Sequence, residues 1–342
     1  TASGIFSWMA LRLCVVGGGR IGTIHLSNIQ KNCRTVVSAF VDLDSERAKQ
    51  VKAETGCAIF SSLAELFADE TLTIDAFVIC SPTCTHVEYS KLCISKGKPV
   101  LCEKPISMNP NEIKELSDYA ISQNVPLLCG YHRRHDRSFK KLQDMVSKGD
   151  IGDVRTIRSC SRDNPIPAQN FLKISGGIMH DCASHDIDVI RWIAKEEPIE
   201  VYASASVFLE RIKEIDDWDT VSIHLKFASG ILATVDICRS APYGYDQRIE
   251  VLGEHGMLQA ENQKPTTVIK STVDGVLSDP NCFSFPQRYI ETYAAELDHF
   301  VDIVQNNATP AVTGEDCYRA AVIIDLCNES AKQGKPLKVS FQ

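Results

Sequence analysis

Between Leu11 and Cys129, short apolar runs alternate with longer stretches whose apolar residues recur at helical spacing. This alternation is typical of a parallel β-sheet whose strands are joined by crossover helices. Strands are predicted at residues 11–16, 35–41, 57–60, 75–80, 99–102 and 126–129. Helices are predicted at residues 20–30, 45–55, 83–96 and 109–123. The run from Ala76 to Cys80 is wholly apolar, as expected of a strand covered on both faces, so we predict a doubly wound α/β domain.

After Gly130 the pattern changes to a basic helical segment at 133–148 followed by strands joined by short turns. Strands are predicted at 154–160, 199–208, 218–227, 230–239, 247–252 and 257–260. Helices are predicted at 176–194, 288–306 and 315–333. The short turns favour a mainly antiparallel, open sheet. We therefore divide the chain into a first domain at residues 9–130 and an α+β domain at residues 131–342.

The composition excludes several classes of protein. The chain has 342 residues and a net charge of −8, which disfavours nucleic acid and anionic membranes as partners. No apolar run approaches the roughly 20 residues of a spanning helix. Fourteen cysteines without a Cys-x-x-Cys pair are interpreted as reduced core thiols of a cytoplasmic protein. Residues 1–8 lack the features of a signal peptide, and we interpret them as residues left from expression.

The most specific local signal is Gly17-Gly18-Gly19-Arg20-Ile21-Gly22, a Gly-x-Gly-x-x-Gly sequence between a predicted strand and a predicted helix. Gly17 permits the tight turn, Gly19 allows a pyrophosphate to approach the backbone, and Gly22 allows the helix to pack on the strand. The helix N-terminus then faces the phosphates. The sequence therefore predicts a dinucleotide-binding Rossmann domain.

Asp42 lies twenty residues beyond Gly22, at the end of the second predicted strand. A carboxylate at this position accepts hydrogen bonds from the adenosine ribose and repels a 2′-phosphate, which favours NAD over NADP. Arg47 could counter this preference. Asp42 could instead only cap the following helix.

Three further segments carry a resemblance to a known family. They are Val100-Leu-Cys-Glu103-Lys104-Pro105, Cys80-Ser81-Pro82-Thr83 with His86, and Gly176-Gly-Ile-Met-His-Asp181-Cys-Ala-Ser-His185-Asp-Ile-Asp188. Together they closely resemble the Gfo/Idh/MocA oxidoreductases, over nearly the whole chain from Met9. Residues 130–136, 161–167 and 174–177 resemble the branch of that family that oxidises inositol at C2.

The resemblance implies NAD-dependent oxidation of the C2 hydroxyl of myo-inositol, with three catalytic residues. His185 would take the hydroxyl proton, Asp181 would hold the tautomer of His185, and Lys104 would polarise the oxygen. Alcohol oxidation needs these types of group. Asp181 and His185 are four residues apart and would share a helix face. Lys104 follows a parallel strand, at the sheet edge where ligands bind, so the three are expected to converge in a cleft.

The resemblance also implies the remaining ligand contacts. Cofactor contacts beyond the glycines and Asp42 would come from Arg20, Ile21, Leu43, Ser81, Pro82, Thr83, His86, Glu103 and Lys104. Substrate contacts would come from Lys104, Arg134, Asp163, Asn164, Asp181, His185, Tyr243 and Tyr293. Family members commonly associate through the exposed face of the second sheet, which implies a homodimer or homotetramer.

Each assignment has an alternative. Lys104 could form a structural ion pair with Glu103, and His185 could be a core histidine. Tyr243 and Tyr293 could be core or subunit contacts, and one residue of the Arg133–Arg134 pair is expected at the surface. The set His180, Asp181, His185 and Asp186 could suggest a metal, but the two histidines fall on different helix faces, so no metal is predicted.

Two other functions stay open. The same chemistry could act on scyllo-inositol, glucose or xylose. A non-catalytic NAD-binding regulator would keep the glycines and Asp42, but it would not need Lys104, Asp181 and His185 together.

Overall fold

The computed structural model describes residues 10–341, so the interpretation of residues 1–8 lies outside the described residues. Its first sheet has six strands. They are β1 (Leu11–Val16), β2 (Thr35–Val41), β3 (Ala58–Phe60), β4 (Ala76–Ile79), β5 (Val100–Cys102) and β6 (Leu127–Cys129). Each strand ends within one residue of the predicted bounds.

All neighbours in this sheet are parallel, in the order β3-β2-β1-β4-β5-β6. The four side chains of β4 are fully buried, as its apolar sequence predicted. Because β1 lies between β2 and β4, the strand order reverses at β1. The carboxyl ends of β1 and β4 therefore form the edge at which doubly wound sheets bind ligands.

The helices of this part are amphipathic or capped as predicted, with one addition. They are α1 (Arg20–Lys31), α2 (Ser45–Thr55), α3 (Leu63–Ala68), α4 (His86–Ser95) and α5 (Pro110–Ser122). Asn109 caps α5 and Pro110 occupies its first turn, as the sequence indicated. The short helix α3 was not predicted, although the Ser62 hydroxyl caps it. The predicted helix at 83–96 begins as a 3-10 turn, Thr83–Thr85.

The second sheet has seven strands, and a separate hairpin follows them along the chain. The strands are β7 (Val154–Arg162), β8 (Pro198–Ser206), β9 (Thr220–Phe227), β10 (Leu232–Cys238), β11 (Asp246–Gly253), β12 (Met257–Ala260), β13 (Ile269–Thr272), β14 (Gly275–Ser278) and β15 (Leu337–Lys338). Their order is β12-β11-β7-β10-β9-β8-β15, with β13 and β14 forming the hairpin. Only β7 and β10 are parallel among the neighbours in this described sheet. The predicted mainly antiparallel sheet and α+β class are confirmed.

The remaining helices include two departures from the predicted bounds. They are α6 (Arg137–Lys148), α7 (Gln169–Leu172), α8 (Ser184–Ala194), α9 (Glu210–Lys213), α10 (Phe285–Arg288), α11 (Ile290–Asn306) and α12 (Gly314–Gln333). Helix α6 begins later than predicted because the Asp136 carboxylate caps it, accepting from the N–H groups of Ser138 and Phe139. The predicted helix at 176–194 contains a π-helical turn, Met179–Ala183, before α8 begins.

The described chain divides into two compact units. The first contains the described residues up to His132 together with Tyr293–Tyr318, and the second contains Arg133–Thr292 and Arg319–Phe341. Residues of α11 thus belong to the first unit although they follow most of the second along the chain. The division at residue 130 remains a prediction about domains.

The fourteen cysteines all lie within residues 10–341, and each is a free thiol there. Eight of them are buried, including Cys14 in β1 and Cys102 in β5. Within the described part of the chain, no helix is both long and apolar enough to cross a bilayer.

Candidate active site

The glycine loop joins β1 to α1. Gly17 has a φ of 95°, and a Cβ there would lie 2.6 Å from the Ser81 nitrogen, so only glycine fits. A Cβ on Gly22 would collide with the Gly17 carbonyl oxygen. The Cβ position of Gly19 is open, with no atom within 4 Å, and no side chain caps α1. Such a helix N-terminus accepts phosphate groups. Arg20 and Ile21 lie in its first turn.

Asp42 follows β2 and lies beside the glycine loop. Its Oδ2 accepts a hydrogen bond from the Gly18 N–H at 2.5 Å, and its Oδ1 accepts one from the Asp44 N–H at 2.8 Å. Asp44 is the cap of α2, so the alternative that Asp42 only caps this helix is wrong. Arg47 donates to the Gly18 carbonyl and to the Thr23 hydroxyl, at 3.2 and 2.9 Å. Leu43, the next predicted contact, is exposed.

His86 connects two loops at the carboxyl edge of the first sheet. Its Nε2 lies 2.7 Å from the Ser81 carbonyl oxygen and its Nδ1 lies 2.8 Å from the Pro105 carbonyl oxygen. Burial lowers the pKa of His86, but Cys102 and these two carbonyls raise it, to about 9. Two carbonyl acceptors require a proton on each nitrogen, so the ring is an imidazolium. The structure therefore gives this predicted cofactor contact a positioning role for the loop that contains Ser81, Pro82 and Thr83.

Glu103 and Lys104 follow β5. The Glu103 carboxylate points into the first unit, where its Oε1 lies 2.7 Å from the Nε2 atom of His25. Its Oε2 accepts a hydrogen bond from the Lys104 N–H at 3.3 Å. Gly130 packs directly against this carboxylate, because a Cβ at Gly130 would lie 2.8 Å from Oε2. Glu103 thus anchors the start of the Lys104 loop from inside the unit.

In the second unit, Asp181 lies in the π-helical turn and is bound by an arginine that the sequence analysis missed. The Nη1 atom of Arg239 donates to Asp181 at 2.9 Å, and its Nη2 lies 3.4 Å from Asp217. Arg239 is fully buried. Asp217 in turn accepts a hydrogen bond from the Ile178 N–H at 3.1 Å, at the start of the same turn. A charged residue directly after an apolar strand, as in Ile237-Cys238-Arg239, was the available signal.

Asp163 is near this group. Cys182 donates a hydrogen bond from its thiol to the Asp163 carboxylate at 3.3 Å. Burial and the neighbouring Asp181 raise the pKa of Asp163. Asp163, Asp181 and Arg239 therefore form one polar cluster in the second unit.

His185 lies in the first turn of α8 and is buried, with 8 % of its surface exposed. Asp181 is four residues before His185, but it lies in the π-helical turn, whereas His185 lies in α8. The two residues therefore do not share one face of a single α-helix, although this was expected. The roles of Asp181 and His185 remain predictions.

The two arginines at 133 and 134 depart from expectation. Both are buried, and neither is a surface group. Arg133 pairs with Asp186 at 3.1 Å, and Arg134 makes a two-pronged pair with Asp188 at 2.9 and 2.6 Å. The Arg134 guanidinium also lies over the Trp192 ring. These contacts give Arg134 a structural role and lend no support to its predicted contact with substrate.

The other predicted substrate residues occupy three different environments. Asn164 donates to the Phe283 carbonyl at 2.8 Å. The Tyr243 hydroxyl donates to Asp246 at 2.7 Å, and the ring is half exposed. Tyr293 is buried in the first unit, stacked on His132 and edge-on to His25. Tyr293 thus fits the core alternative.

Three residues of the alternative metal set around His180 contact other side chains. His180 lies 3.1 Å from Asp325, Asp181 is bound by Arg239, and Asp186 is bound by Arg133. Among residues 10–341, a different set has its potential ligand atoms within 4.8 Å of one another. It consists of His25, Glu103 and Glu296, and sequence spacing gives no signal for it.

Two family models match this chain. A model of the oxidoreductase family with an NAD-binding Rossmann fold matches residues 11–131, and a model of the Gfo/Idh/MocA C-terminal domain matches residues 139–259. The chain belongs to the Gfo/Idh/MocA oxidoreductase family. The glycine loop of this family member fits NAD, because Gly19 leaves the helix N-terminus open and Asp42 lies beside the loop.

Individual members of the Gfo/Idh/MocA family resemble this chain over nearly its full length. It is 36 % identical to the myo-inositol 2-dehydrogenase of Thermotoga maritima, over 96 % of this chain and 98 % of that protein. It is 34 % identical to the inositol 2-dehydrogenase of Rhizobium meliloti, over 97 % of this chain and 100 % of that protein. The crystal structure of scyllo-inositol dehydrogenase from Lactobacillus casei, with bound NAD(H) and scyllo-inositol, matches with a TM-score of 0.90 and 26 % identity. That match covers 96 % of this chain and 99 % of the other.

Proposed function

We propose that this protein oxidises the C2 hydroxyl of myo-inositol to the 2-keto inositol, with NAD as the hydride acceptor. The observation that carries the proposal is the similarity to two inositol 2-dehydrogenases over at least 96 % of the chain. The chain's own residues supply the chemistry that such an oxidation needs.

In this proposal, His185 accepts the proton of the C2 hydroxyl, and the Lys104 ammonium stabilises the negative charge that develops on the oxygen. Asp181 orients the imidazole, and Arg239 fixes the Asp181 carboxylate through its 2.9 Å contact. Asp163 adds a further acceptor for the hydroxyls of the ring. NAD, when bound, supplies the nicotinamide that takes the hydride.

NAD is the favoured cofactor over NADP in this proposal. A carboxylate at Asp42 repels a 2′-phosphate. The Arg47 guanidinium is engaged with the Gly18 carbonyl and the Thr23 hydroxyl, which supports a structural role for it.

The test is the initial rate of NADH appearance with myo-inositol, scyllo-inositol, glucose and xylose, each with NAD and with NADP. We expect saturable turnover of myo-inositol with NAD and much slower turnover with NADP. Faster turnover of scyllo-inositol would favour the second candidate, which the similarity to the Lactobacillus casei enzyme supports. No turnover of any polyol, with NAD binding intact, would favour a regulator.

The variant His185→Ala tests the assignment of His185 as the base. Loss of the base lowers kcat by about 10²- to 10⁴-fold, because general-base catalysis contributes on that order. The affinity for NAD, measured by titration of intrinsic fluorescence, should be unchanged. Near-normal turnover with an unchanged pH profile would contradict the assignment of His185 as the base.

A further inference from the structure

Three ionisable side chains meet inside the first unit, and none of them takes part directly in the proposed mechanism. His25 comes from α1, Glu103 follows β5, and Glu296 comes from α11. One potential ligand atom of each lies within 4.8 Å of the others. Exposure is 0 % for His25 and Glu296 and 6 % for Glu103. The cluster therefore joins three elements in a medium that penalises charge.

The charges of this cluster are not balanced if both carboxyl groups are ionised. His25 contacts Glu103 at 2.7 Å, which accounts for one carboxylate. Both carboxyl oxygens of Glu296 are buried and have no hydrogen-bond partner among residues 10–341. Other titratable groups near the cluster are the thiols of Cys80, Cys102 and Cys129, and Tyr293 with its stacked neighbour His132. None of these neighbours is a permanent cation, so Glu296 needs a proton or a metal ion.

The contact between His25 and Glu103 favours the proton. Two ligands of a tetrahedral zinc ion, each about 2.0–2.2 Å from the metal, lie about 3.4 Å apart. The observed 2.7 Å is instead the length of a hydrogen bond with a proton between the two atoms. A metal would have to displace this bond, whereas a proton on Glu296 leaves it intact.

We propose that Glu296 is held in its protonated form, which spares Glu103 a charge repulsion, and that His25 is the positioning residue that fixes Glu103 and through it the loop of Lys104. Burial and the nearby Glu103 raise the pKa of Glu296 well above its ordinary value, which agrees with this state. The role in catalysis rests on the proposed function, but the protonation state does not.

The path to Lys104 consists of direct contacts. His25 holds one oxygen of Glu103, and the Lys104 N–H donates to the other oxygen at 3.3 Å. The backbone of Gly130 closes the remaining side of the carboxylate. An ionised Glu296 would repel Glu103 from this position, and loss of the His25 ring would leave one Glu103 oxygen without its partner. The backbone N–H of Lys104 would then no longer be held by the Glu103 carboxylate.

The test of the protonation state compares the wild type with Glu296→Gln, a neutral side chain of the same shape. A carboxyl group with a raised pKa in the folded state loses its stabilising effect as pH rises from the unfolded pKa, about 4.3, towards the folded one. We expect the unfolding constant of the wild type to rise, relative to that of Glu296→Gln, by up to tenfold per pH unit above about pH 5. Urea unfolding at a series of pH values measures this ratio.

A ratio that does not change with pH would overturn the proposal, because Glu296 would then be ionised in the folded protein. Stoichiometric zinc or another divalent metal in the purified protein, with a lower Tm after chelation, would also overturn it. Both measurements give a result even if the protein oxidises none of the polyols tested, so failure of the proposed function is distinguishable.

The positioning role is tested by turnover. Glu296→Gln, which stays neutral, should keep the kcat of the wild type, while His25→Leu, which cannot hydrogen-bond Glu103, should lower kcat by about ten- to a hundredfold and leave the Kd for NAD unchanged. His25→Gln keeps a hydrogen-bond donor beside Glu103, so a kcat that is restored in His25→Gln separates positioning from loss of packing. A wild-type kcat in His25→Leu would contradict the positioning role.

Discussion

His86 illustrates how a single side chain organises the edge where the cofactor is expected. Its imidazolium donates to carbonyls in two loops, one after β4 and one after β5. A neutral ring would place an unprotonated nitrogen against one of these oxygens, which is repulsive. The charged form is therefore part of the folded structure.

This geometry predicts a pH-dependent stability. The pKa of His86 is about 9 in the folded protein and about 6.5 in the unfolded chain, so its contribution is complete below pH 6.5 and disappears as pH rises to about 9. We expect the difference in unfolding free energy between the wild type and His86→Gln to shrink by about 3 kcal/mol over that interval. Chemical denaturation at pH 6 and pH 9.5 measures it. Parallel stability curves would mean that the ring is neutral.

Individual residues were predictable where a local pattern fixes them. The glycines and Asp42 follow from spacing, and their contacts agree with that spacing. His25, Glu103 and Glu296 were not predictable as a cluster, because 78 residues separate His25 from Glu103 and Glu296 is farther still along the chain. The burial of Arg133 and Arg134 was missed because the sequence alone predicts exposed positions for charged residues. Their partners, Asp186 and Asp188, are charged as well and would also be placed at the surface.

At the scale of elements, Arg239 links the end of β10 to the π-helical turn. It lies between Asp181 and Asp217, and Asp217 also holds the backbone N–H of Ile178. π-Helical turns are often found at functional sites. Here the turn places the Asp181 carboxylate against the buried guanidinium of Arg239.

Replacement of Arg239 should be strongly destabilising. Arg239→Met leaves two largely buried carboxylates without this counter-charge, and removal of one partner of a buried ion pair typically costs about 3–5 kcal/mol. Arg239→Lys keeps the charge but loses the fork, so it should be less destabilising and should still lower kcat. Urea denaturation and steady-state rates measure the two effects. A loss below about 1 kcal/mol in Arg239→Met would show that the pair is dispensable.

The regular elements were predictable because their periodicity reflects burial, as in the four fully buried residues of β4. The π-helical turn was not, because its apolar spacing is indistinguishable from that of an α-helix over five residues. The hairpin of β13 and β14 was missed because all its residues are exposed and no apolar alternation marks it.

At the scale of the whole molecule, the second sheet has an exposed apolar row. Strand register places Leu232, Thr156, Leu252 and Met257 side by side across β10, β7, β11 and β12. The three apolar members are 40–52 % exposed. Contiguous exposed apolar surface is a common feature of association sites, so this row is where we test the predicted homodimer or homotetramer.

Leu252→Glu should therefore reduce the mass of the protein in solution. A charge in the middle of an apolar interface is costly to bury, so we expect dissociation towards the monomer by light scattering at micromolar concentration. Asn111→Glu, an exposed change on α5 in the first unit that alters the net charge by the same −1, is the control. A wild-type mass for Leu252→Glu would exclude this row as the interface.

The free thiols have a practical consequence. Burial raises the pKa of Cys14, Cys93 and Cys129, whereas Cys33 and Cys84 are exposed. Alkylating reagents need the thiolate and access to it, so these two positions should react first at neutral pH. Cys84 lies in the turn that contains Thr83. A Cys33→Ser variant would therefore accept a fluorescent label in this turn, which contains the predicted cofactor contact Thr83, without any introduced cysteine. Slower labelling in the presence of NAD would then show that the bound cofactor covers the turn.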